Sequence, residues 1–306
     1  MSEYSDTLKH PDVEEHIDLF FYRPLGYRLA CLGRKLGWMP NTVTVVSIFL
    51  GIGCGLLLLP ADRRWNLAGM LLLVLADICD SADGQLARLT GQYSRLGRIL
   101  DGASGDLWFL SIYICLVLRM WPEWGWSGFF LALAAGLFHS LQACIADRCR
   151  NFHLRVVNGS RMSEYETSAQ VEAEYRRVTF SREPVYKIFL FFYKGYTRTQ
   201  EQCCPQQLRL ARVIDGEWSA DVSGRLRESL RRDSLPWMKW CNVLTFNWRA
   251  IILCLSVVVL ARPEIYFLAE LTLGNLILLM LLLNYEQLCQ FYAHVEPDAL
   301  EGESES

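Results

Sequence analysis

The stretch DSADGQLARLTGQYSRLGRILD occupies residues 80–101, directly after the apolar run 67–76. It places three aspartates, Asp80, Asp83 and Asp101, at the edge of an apolar segment. Carboxylates at a membrane edge are costly unless they pair with cations or hold them, so they mark a functional site by default. We therefore expect the chemistry of the protein to lie in this stretch.

Long apolar runs on both sides of this stretch predict a membrane protein. Of the 306 residues, 52% are hydrophobic, and an uncharged apolar run of about 20 residues can cross a bilayer as a helix. The sequence predicts an all-α integral membrane protein with six transmembrane helices, at Thr42–Leu59, Trp65–Ala82, Leu100–Met120, Gly125–Ala146, Trp248–Leu260 and Ile265–Tyr285. Gly51, Gly53 and Gly55 in the first helix predict close approach of a neighbouring helix.

The distribution of Lys and Arg predicts the orientation in the membrane. An even number of spans places both termini on one side, and the basic residues are concentrated before the first span, in the loop 83–99 and in the segment 147–240. By the positive-inside rule, the termini and the acidic stretch face the cytoplasm. Residues 1–18 are polar and acidic, so we expect no cleavable signal peptide.

We predict five parts along the chain. Residues 1–40 form a cytoplasmic N-terminus, in which 11–36 mix apolar and basic residues as an interfacial amphipathic helix that Pro24 bends or restarts. A soluble surface helix is the alternative. The other parts are transmembrane helices 1–4 with the catalytic motif 80–106 (41–146), a cytoplasmic insertion with an interfacial segment at Tyr186–Tyr196 (147–240), transmembrane helices 5–6 (241–286) and an acidic C-terminal tail (287–306). Within this tail we expect Glu296–Ser306 to be disordered.

The cysteines and short motifs predict no further cofactor. The eleven cysteines have no zinc-binding spacing, and those within apolar runs are expected to pack as small hydrophobes. The adjacent Cys203 and Cys204 are expected to stay reduced in the cytoplasm. Asn158-Gly159-Ser160 matches a glycosylation sequon that has no meaning on that side of the membrane. We see no nucleotide fingerprint in 147–240 and expect no nucleic-acid partner.

The spacing of the acidic residues predicts a metal site. Asp77, Asp80 and Asp83 share one helix face, since residues three apart are neighbours on a helix. Gly84 follows, where a ligand can come close, and Asp101 opens the third span opposite that face. Converging carboxylate oxygens at a water-accessible helix end suit Mg²⁺ or Mn²⁺.

Three arginines add positive charge on the same side of the membrane. Arg88, Arg95 and Arg98 are well placed to bind a phosphate, so the pattern indicates metal-assisted chemistry on a phosphate ester. The alternative is that the acids only cap helices and neutralise these arginines, although burying ion pairs for stability alone is of little value.

The motif resembles the signature of a known family. Asp80-Ser-Ala-Asp83-Gly84-Gln-Leu-Ala87-Arg88, followed by Gly97 and Asp101, is similar to the signature of the CDP-alcohol phosphotransferases, or CDP-alcohol phosphatidyltransferases. Those are six-helix membrane enzymes whose motif spans the ends of helices two and three. The resemblance also covers the interfacial N-terminal helix and the Pro-Asn-x-x-Thr start of the first span. It does not cover 147–240, which is long for the family.

The resemblance implies roles for individual residues. Asp80, Asp83 and Asp101 would bind two divalent cations, Mg²⁺ or Mn²⁺, that hold the pyrophosphate of a CDP-linked donor. Arg88 would steady the acidic cluster or the diphosphate. Four further positions would belong to the nucleotide site, with Gly84 and Ala87 giving the cytidine room: Gly84, Ala87, Asn41 and Thr44.

The resemblance also implies the reaction. An acceptor hydroxyl would attack the β-phosphate and release CMP. The donor would be CDP-diacylglycerol and the acceptor a polyol such as inositol, inositol phosphate or glycerol phosphate; serine, or a diglyceride accepting from a CDP-amino-alcohol, stays open. A homodimer is expected from the family alone.

One position departs from the family signature. The fourth Asp, proposed in the family as metal ligand and general base, is replaced by Gly105, and the next acid is Asp106. On a regular α-helix Asp106 lies about 140° from Asp101, whereas Gly105 lies about 40° from it. A π-bulge encouraged by Gly102 and Gly105 would rotate Asp106 into the site. We expect Asp106 to be the fourth metal ligand and the catalytic base.

Three functions follow from these observations. The first is a CDP-alcohol phosphotransferase in phospholipid biosynthesis. The second, motivated by Gly105, is a catalytically impaired membrane protein on the same fold that binds nucleotide or scaffolds a lipid-synthesis complex. The third, a metal-ion transporter using the carboxylates, gives no reason for Gly84, Ala87 and Arg88.

Other polar residues in the spans are weaker candidates. His139, Gln142, Asn275 and Glu286 could reach the acceptor, but an intramembrane His or Asn more commonly makes an interhelical hydrogen bond. Glu270 needs a partner. We expect Arg148 and Arg150 to anchor to anionic headgroups ahead of binding an acceptor phosphate.

Overall fold

The protein is described from a computed structural model covering residues 3–8, 10–93, 95–158, 165–216 and 220–294. All secondary structure in these residues is helical. The α-helices are α1 Arg23–Leu36, α2 Pro40–Leu58, α3 Arg63–Thr90, α4 Arg95–Asn158, α5 Ser168–Arg177, α6 Pro184–Cys203, α7 Pro205–Gly216, α8 Ala220–Val243, α9 Phe246–Cys254, α10 Glu264–Ala269 and α11 Asn275–Tyr292. A 3-10 turn lies at Ser5–Thr7, and π-helical turns lie at Asp18–Tyr22, Leu255–Val259 and Glu270–Gly274.

Four helical stretches are long and apolar enough to cross a membrane. They are Pro40–Leu58, Ile99–Val157, Leu226–Val259 and Glu264–Tyr292. The all-α, membrane-spanning fold class is confirmed. The second stretch contains both predicted spans three and four, and non-helical backbone at Gly125 (φ 47°) interrupts it. The predicted second span lies in α3, which is not among the four, so the number of six spans stays a prediction.

The chain divides into two compact units. Unit 1 comprises Met1–Ser140 and Thr245–Gly274, and unit 2 comprises Leu141–Leu244 and Asn275–Ser306. The predicted insertion 147–240 lies within unit 2. The predicted acidic motif lies within unit 1.

In unit 1, helix α3 packs against α1 and α2. Glycines of α2 permit close approach of α4 in the same unit, as the sequence predicted. The Cβ of any larger residue at Gly51 would overlap the Trp108 ring, and a Cβ at Gly55 would lie 2.8 Å from the backbone of Ser111. The core that surrounds these contacts is apolar and includes Leu73, Trp108, Ile112, Leu116, Tyr266 and Phe267. Burial of such side chains holds the helix ends of the acidic motif in place.

The N-terminal amphipathic segment forms a helix in the predicted place. Helix α1 begins at Arg23 with Pro24 in its first turn, where the backbone amide that proline lacks has no partner within the helix. The helix ends at Leu36 and is followed by Gly37 in the left-handed conformation (φ 70°). In unit 2, the aromatic segment Tyr186–Tyr196 lies in α6 with Phe191 and Phe192 exposed. Its interfacial position stays a prediction. The predicted acidic tail from 295 onward and the sequon residues Gly159 and Ser160 lie outside the described residues.

Candidate metal and phosphate site

Helices α3 and α4 bring the two ends of the motif together. Helix α3 carries Asp80 and Asp83 in its last three turns and ends at Gly91, whose left-handed backbone (φ 67°) suits glycine. Helix α4 then begins at Arg95, so Asp101 lies in its second turn. A link this short places the end of one helix beside the start of the next.

Three carboxylates converge at this point, as the sequence predicted. Ligand oxygens of Asp80, Asp83 and Asp101 all lie within 4.8 Å of one another, and we name these residues the acidic group. Asp83 is buried, whereas Asp101 is exposed. An oxygen-only donor set open to solvent on one side suits a hard divalent cation that keeps some of its water. Asp77, expected on the same stripe, lies outside the acidic group.

Two hydroxyl groups donate hydrogen bonds to carboxylates of the acidic group. Thr44 Oγ1 on α2 donates a hydrogen bond to Asp83 Oδ2. Ser104 Oγ donates to Asp80 Oδ1 at 2.7 Å. The sequence analysis assigned Thr44 to the nucleotide site, whereas its observed contact is with a carboxylate of the acidic group. Asn41 lies one turn earlier on α2 and is half-buried. Sequence reasoning missed Ser104, although its position three residues after Asp101 was a usable signal.

The electrostatics of the acidic group favour a bound cation. Asp83 lies one residue beyond the predicted second span, and burial together with the charges of Asp101 and Asp80 raises its pKa to about 9. The Thr44 hydroxyl and the backbone amide of Gly84 oppose this shift. A carboxyl in this setting ionises at neutral pH only if positive charge compensates it. The acidic group therefore fits a divalent cation in both geometry and charge.

Arg88 lies beside Gly84, one turn after the buried aspartate. Its guanidinium is largely buried, and Nε donates to the Thr7 carbonyl at 2.7 Å. Its Nη2 has no hydrogen-bond partner and would lie 3.4 Å from a Cβ built on Gly84. No carboxylate among the described residues lies within ion-pair distance of Arg88. A buried guanidinium with an unused donor lowers the stability of the fold unless an anion pairs with it. This arrangement therefore fits a phosphate-bearing ligand. Ala87 is half-buried on the same turn.

Asp106 does not lie with the other three aspartates. Residues 101–106 are regular α-helix, so the expected π-bulge is not present. Asp106 is exposed and lies outside the acidic group because an α-helix turns it about 140° from Asp101. At Gly105 a Cβ would meet nothing within 4 Å. The side chains of Arg95 and Arg98, expected to bind phosphate, are outside the described ones.

A second buried polar cluster in unit 1 combines opposite charges. Arg249 Nε lies 3.3 Å from Glu270 Oε1, and Arg249 Nη2 donates to the His139 carbonyl at 3.3 Å. His139 Nδ1 is 3.7 Å from the same Glu270 oxygen and 3.4 Å from the Tyr113 hydroxyl. We name Arg249, Glu270 and His139 the paired-charge group. The predictions that Glu270 has a partner and that His139 makes an interhelical contact are confirmed.

Unit 2 holds the other polar candidates. Gln142 Nε2 donates to Asn275 Oδ1 at 2.9 Å, the interhelical bond expected of such residues. Glu286 Oε2 accepts from the backbone amide of Gln206 at 2.7 Å.

The expected anchoring of Arg148 to lipid headgroups is wrong. This side chain is 1% exposed. Its guanidinium lies 3.7 Å from the centre of the Tyr165 ring, and its Nη1 donates to the Glu166 carbonyl at 3.0 Å.

Comparison with known proteins identifies the segment that contains the acidic group. Residues 37–173 match the family model described as CDP-alcohol phosphatidyltransferase. Over 87 residues, or 28% of this chain, it is 34% identical to proteins of Mycobacterium bovis and Mycobacterium tuberculosis provisionally named cardiolipin synthase. Over 66 residues, or 21% of this chain, it is 41% identical to a cardiolipin synthase (CMP-forming) of Streptomyces coelicolor.

The alignments with these relatives are partial. The chain spans 40% of the length of the mycobacterial proteins and 29% of the length of the Streptomyces protein. No solved structure matches the chain.

Proposed function

From the finding that residues 37–173 form a domain of the CDP-alcohol phosphatidyltransferase family, we propose that this membrane protein transfers a phosphatidyl or phospho-alcohol group. The donor is CDP-linked, with CDP-diacylglycerol as our choice, and the acceptor is an alcohol. CMP leaves, in agreement with the CMP-forming activity named for the Streptomyces relative. The observation that carries this proposal is the acidic group, which brings three carboxylates of the signature within 4.8 Å.

The roles of the acidic residues follow from their contacts. Asp80, Asp83 and Asp101 would hold Mg²⁺ or Mn²⁺, and Thr44 and Ser104 fix the orientation of two of these carboxylates by donating hydrogen bonds to them. When bound, a divalent cation neutralises charge that develops on phosphoryl oxygens. The site is at a helix end, where a water-soluble diphosphate and a lipid can both reach it.

The neighbouring residues bind the rest of the donor. Gly84 leaves open the space in front of the Arg88 guanidinium, so a diphosphate can approach the unused Nη2 donor. We also assign three further residues to the nucleotide site: Ala87, Asn41 and Thr44. Guanidinium groups bind phosphate oxygens through charge-assisted hydrogen bonds, which are the strong ones.

Asp106 is our candidate for the general base and fourth ligand. It is the first acid after Asp101 on α4. To act there, it has to turn towards the acidic group when cations and donor bind.

We propose a polyol acceptor, such as inositol, inositol phosphate or glycerol phosphate. The active site faces the cytoplasm and the protein forms a homodimer; the Lys and Arg distribution supports the former, and family analogy the latter.

The test is a transfer assay with the full chain in detergent or membranes. Labelled CDP-diacylglycerol is offered with each acceptor and with Mg²⁺ or Mn²⁺, and CMP and lipid products are measured; the products examined include cardiolipin, which the relatives' names suggest. Metal-dependent CMP release with one acceptor supports the proposal. No transfer across a panel of acceptors and of CDP-linked donors would sink it.

A second function is favoured by one observation, the position of Asp106 outside the acidic group. On this alternative the protein binds CDP-lipid or CMP and scaffolds a lipid-synthesis complex without turnover. It predicts metal-dependent CDP binding with no CMP release, and no effect of Asp106→Asn.

A further inference from the structure

The segment that precedes α1 lies on the motif helix. Thr7 is 1% exposed. Its carbonyl accepts a hydrogen bond from Arg88 Nε at 2.7 Å, and its hydroxyl accepts one from Gln85 Nε2 at 3.3 Å. The same hydroxyl donates to the Tyr4 carbonyl at 2.7 Å. Because Gln85 and Arg88 are three residues apart on one helix face, Thr7 ties together two side chains of the signature segment.

Contacts with α1 hold this segment, which we name the strap (residues 3–8 and 10–18). The Tyr4 ring packs edge-on against Tyr27, with 5.1 Å between ring centres. Glu14 pairs with Arg23 Nε at 3.1 Å, and both side chains are largely buried. The strap is thus fixed to α1 on both sides of Thr7.

The far end of the strap is held by residues at the start of α9. Glu15 accepts hydrogen bonds from Thr245 Oγ1 at 2.6 Å and from Asn247 Nδ2 at 3.1 Å. Asp18 accepts from the same Asn247 nitrogen at 2.8 Å. Charge-assisted hydrogen bonds of this kind are roughly twice as strong as neutral ones. Thr7 therefore has a defined position relative to Arg88.

The chemistry of the Thr7 contact matters for the charge of Arg88. A carboxylate at this place would neutralise the guanidinium, whereas a carbonyl is neutral and only orients it. Arg88 keeps its full charge and at least one free donor, Nη2, beside Gly84. A guanidinium whose orientation is already set loses less entropy when it binds a phosphate.

We propose that the strap is a positioning element for the donor site, and that Thr7 is the positioning residue that aims Arg88 at the diphosphate of the CDP-linked donor. This inference rests on the proposed function and extends it. The strap precedes residue 37, where the family match begins.

The experiment measures CDP binding and transfer with the full chain. Thr7→Val keeps the shape of the side chain and the carbonyl that faces Arg88, but it removes the hydroxyl bonds to the Tyr4 carbonyl and to Gln85 Nε2 that fix the position of this carbonyl. Thr7→Ser keeps the hydroxyl. Thr199→Val is the matched control, since the Thr199 hydroxyl bonds only a carbonyl of its own helix, in unit 2. Kd for CDP is measured with Mg²⁺ present, together with KM for donor and acceptor, and with Tm.

Thr7→Val is expected to raise the CDP Kd and the donor KM by about threefold to tenfold, the worth of one hydrogen bond. The acceptor KM is unchanged, and Thr7→Ser and Thr199→Val stay within about twofold of the wild type. A lowered Tm with unchanged CDP affinity would show a merely structural strap and overturn the proposal, as would equal affinities of Thr7→Val and the wild type. If the wild type binds no CDP, the proposed function fails and takes the strap proposal with it; if it binds CDP and Thr7→Val binds equally well, the strap proposal fails alone.

Discussion

Unit 1 contains two charged clusters that differ in composition: one consists of carboxylates, and the other pairs a carboxylate with an arginine. The acidic group gathers three carboxylates within 4.8 Å, whereas the paired-charge group places Arg249 3.3 Å from Glu270. Like charges repel at such distances and cost stability, while opposite charges offset part of their desolvation. The comparison teaches that the paired-charge group is explained by the fold, whereas the acidic group has the oxygen-only composition of a divalent-cation site.

The largest expected effect comes from the acidic group. Asp80→Asn lowers metal-dependent transfer by about a thousandfold or more, because cation stabilisation of phosphoryl transfer is worth several kcal/mol. Tm stays the same or rises, since one repulsive charge is gone. The matched control is Asp62→Asn at the N-cap of the same helix, where Asn caps equally well. Full activity of Asp80→Asn would refute a catalytic role for the acidic group.

The paired-charge group shows the opposite behaviour. Arg249→Met leaves Glu270 buried without its cation, and we expect a loss of about 3–5 kcal/mol in the free energy of unfolding. The double variant Arg249→Met/Glu270→Leu recovers most of the lost free energy of unfolding. Denaturation in detergent measures both variants. The control is the more exposed pair of Arg176 and Glu172, with 2.9 Å between Arg176 Nε and Glu172 Oε1, where Arg176→Ala changes the free energy of unfolding little. If Arg249→Met is as stable as the wild type but transfers much more slowly, the paired-charge group has a role in the reaction.

The third prediction concerns Asp106, which we propose as the general base. As a general base and fourth metal ligand, it predicts that Asp106→Asn lowers kcat by about a hundredfold and raises the Mg²⁺ concentration for half-maximal transfer. Gly105→Asp added to that variant is expected to restore part of kcat, since a Cβ at Gly105 has open space. If Asp106→Asn has wild-type kcat in an active enzyme, the base lies elsewhere.

The smallest effect concerns the support of the acidic group. Ser104→Ala removes the hydrogen bond to Asp80 Oδ1, and we expect the Mg²⁺ concentration for half-maximal transfer to rise about tenfold. Ser111→Ala, on the same helix, removes a bond to the Ile52 carbonyl instead and leaves that concentration unchanged. Equal Mg²⁺ requirements of the two variants would mean that Ser104 does not orient a ligand.

Much of the site was predictable because its members lie close together in the sequence. Asp80, Asp83, Gly84 and Arg88 fall on one helix with three- and four-residue spacing, and local geometry then fixes their shared face. The contacts made by distant segments were not predictable, although the resemblance had placed Thr44 in the nucleotide site. Thr44 and Thr7 reach the motif from 39 and 81 residues away, and no periodicity encodes such contacts.

The position of Asp106 marks the limit of pattern-based inference. A π-bulge was expected because glycines flank the position, yet the helix stays regular through Gly105. Glycine permits a bulge but does not require one, and the hydrogen-bond ladder of a continuous α-helix is the lower-energy choice.

The sequence by itself determined the helical membrane class and the acidic motif, because hydrophobic run length and local spacing encode them directly. Only the tertiary structure decided which oxygens converge, that Thr44, Ser104 and Thr7 support the site, and that Arg249 pairs with Glu270. Those facts depend on helices packing against one another, and side-chain volumes from many distant positions set that packing together.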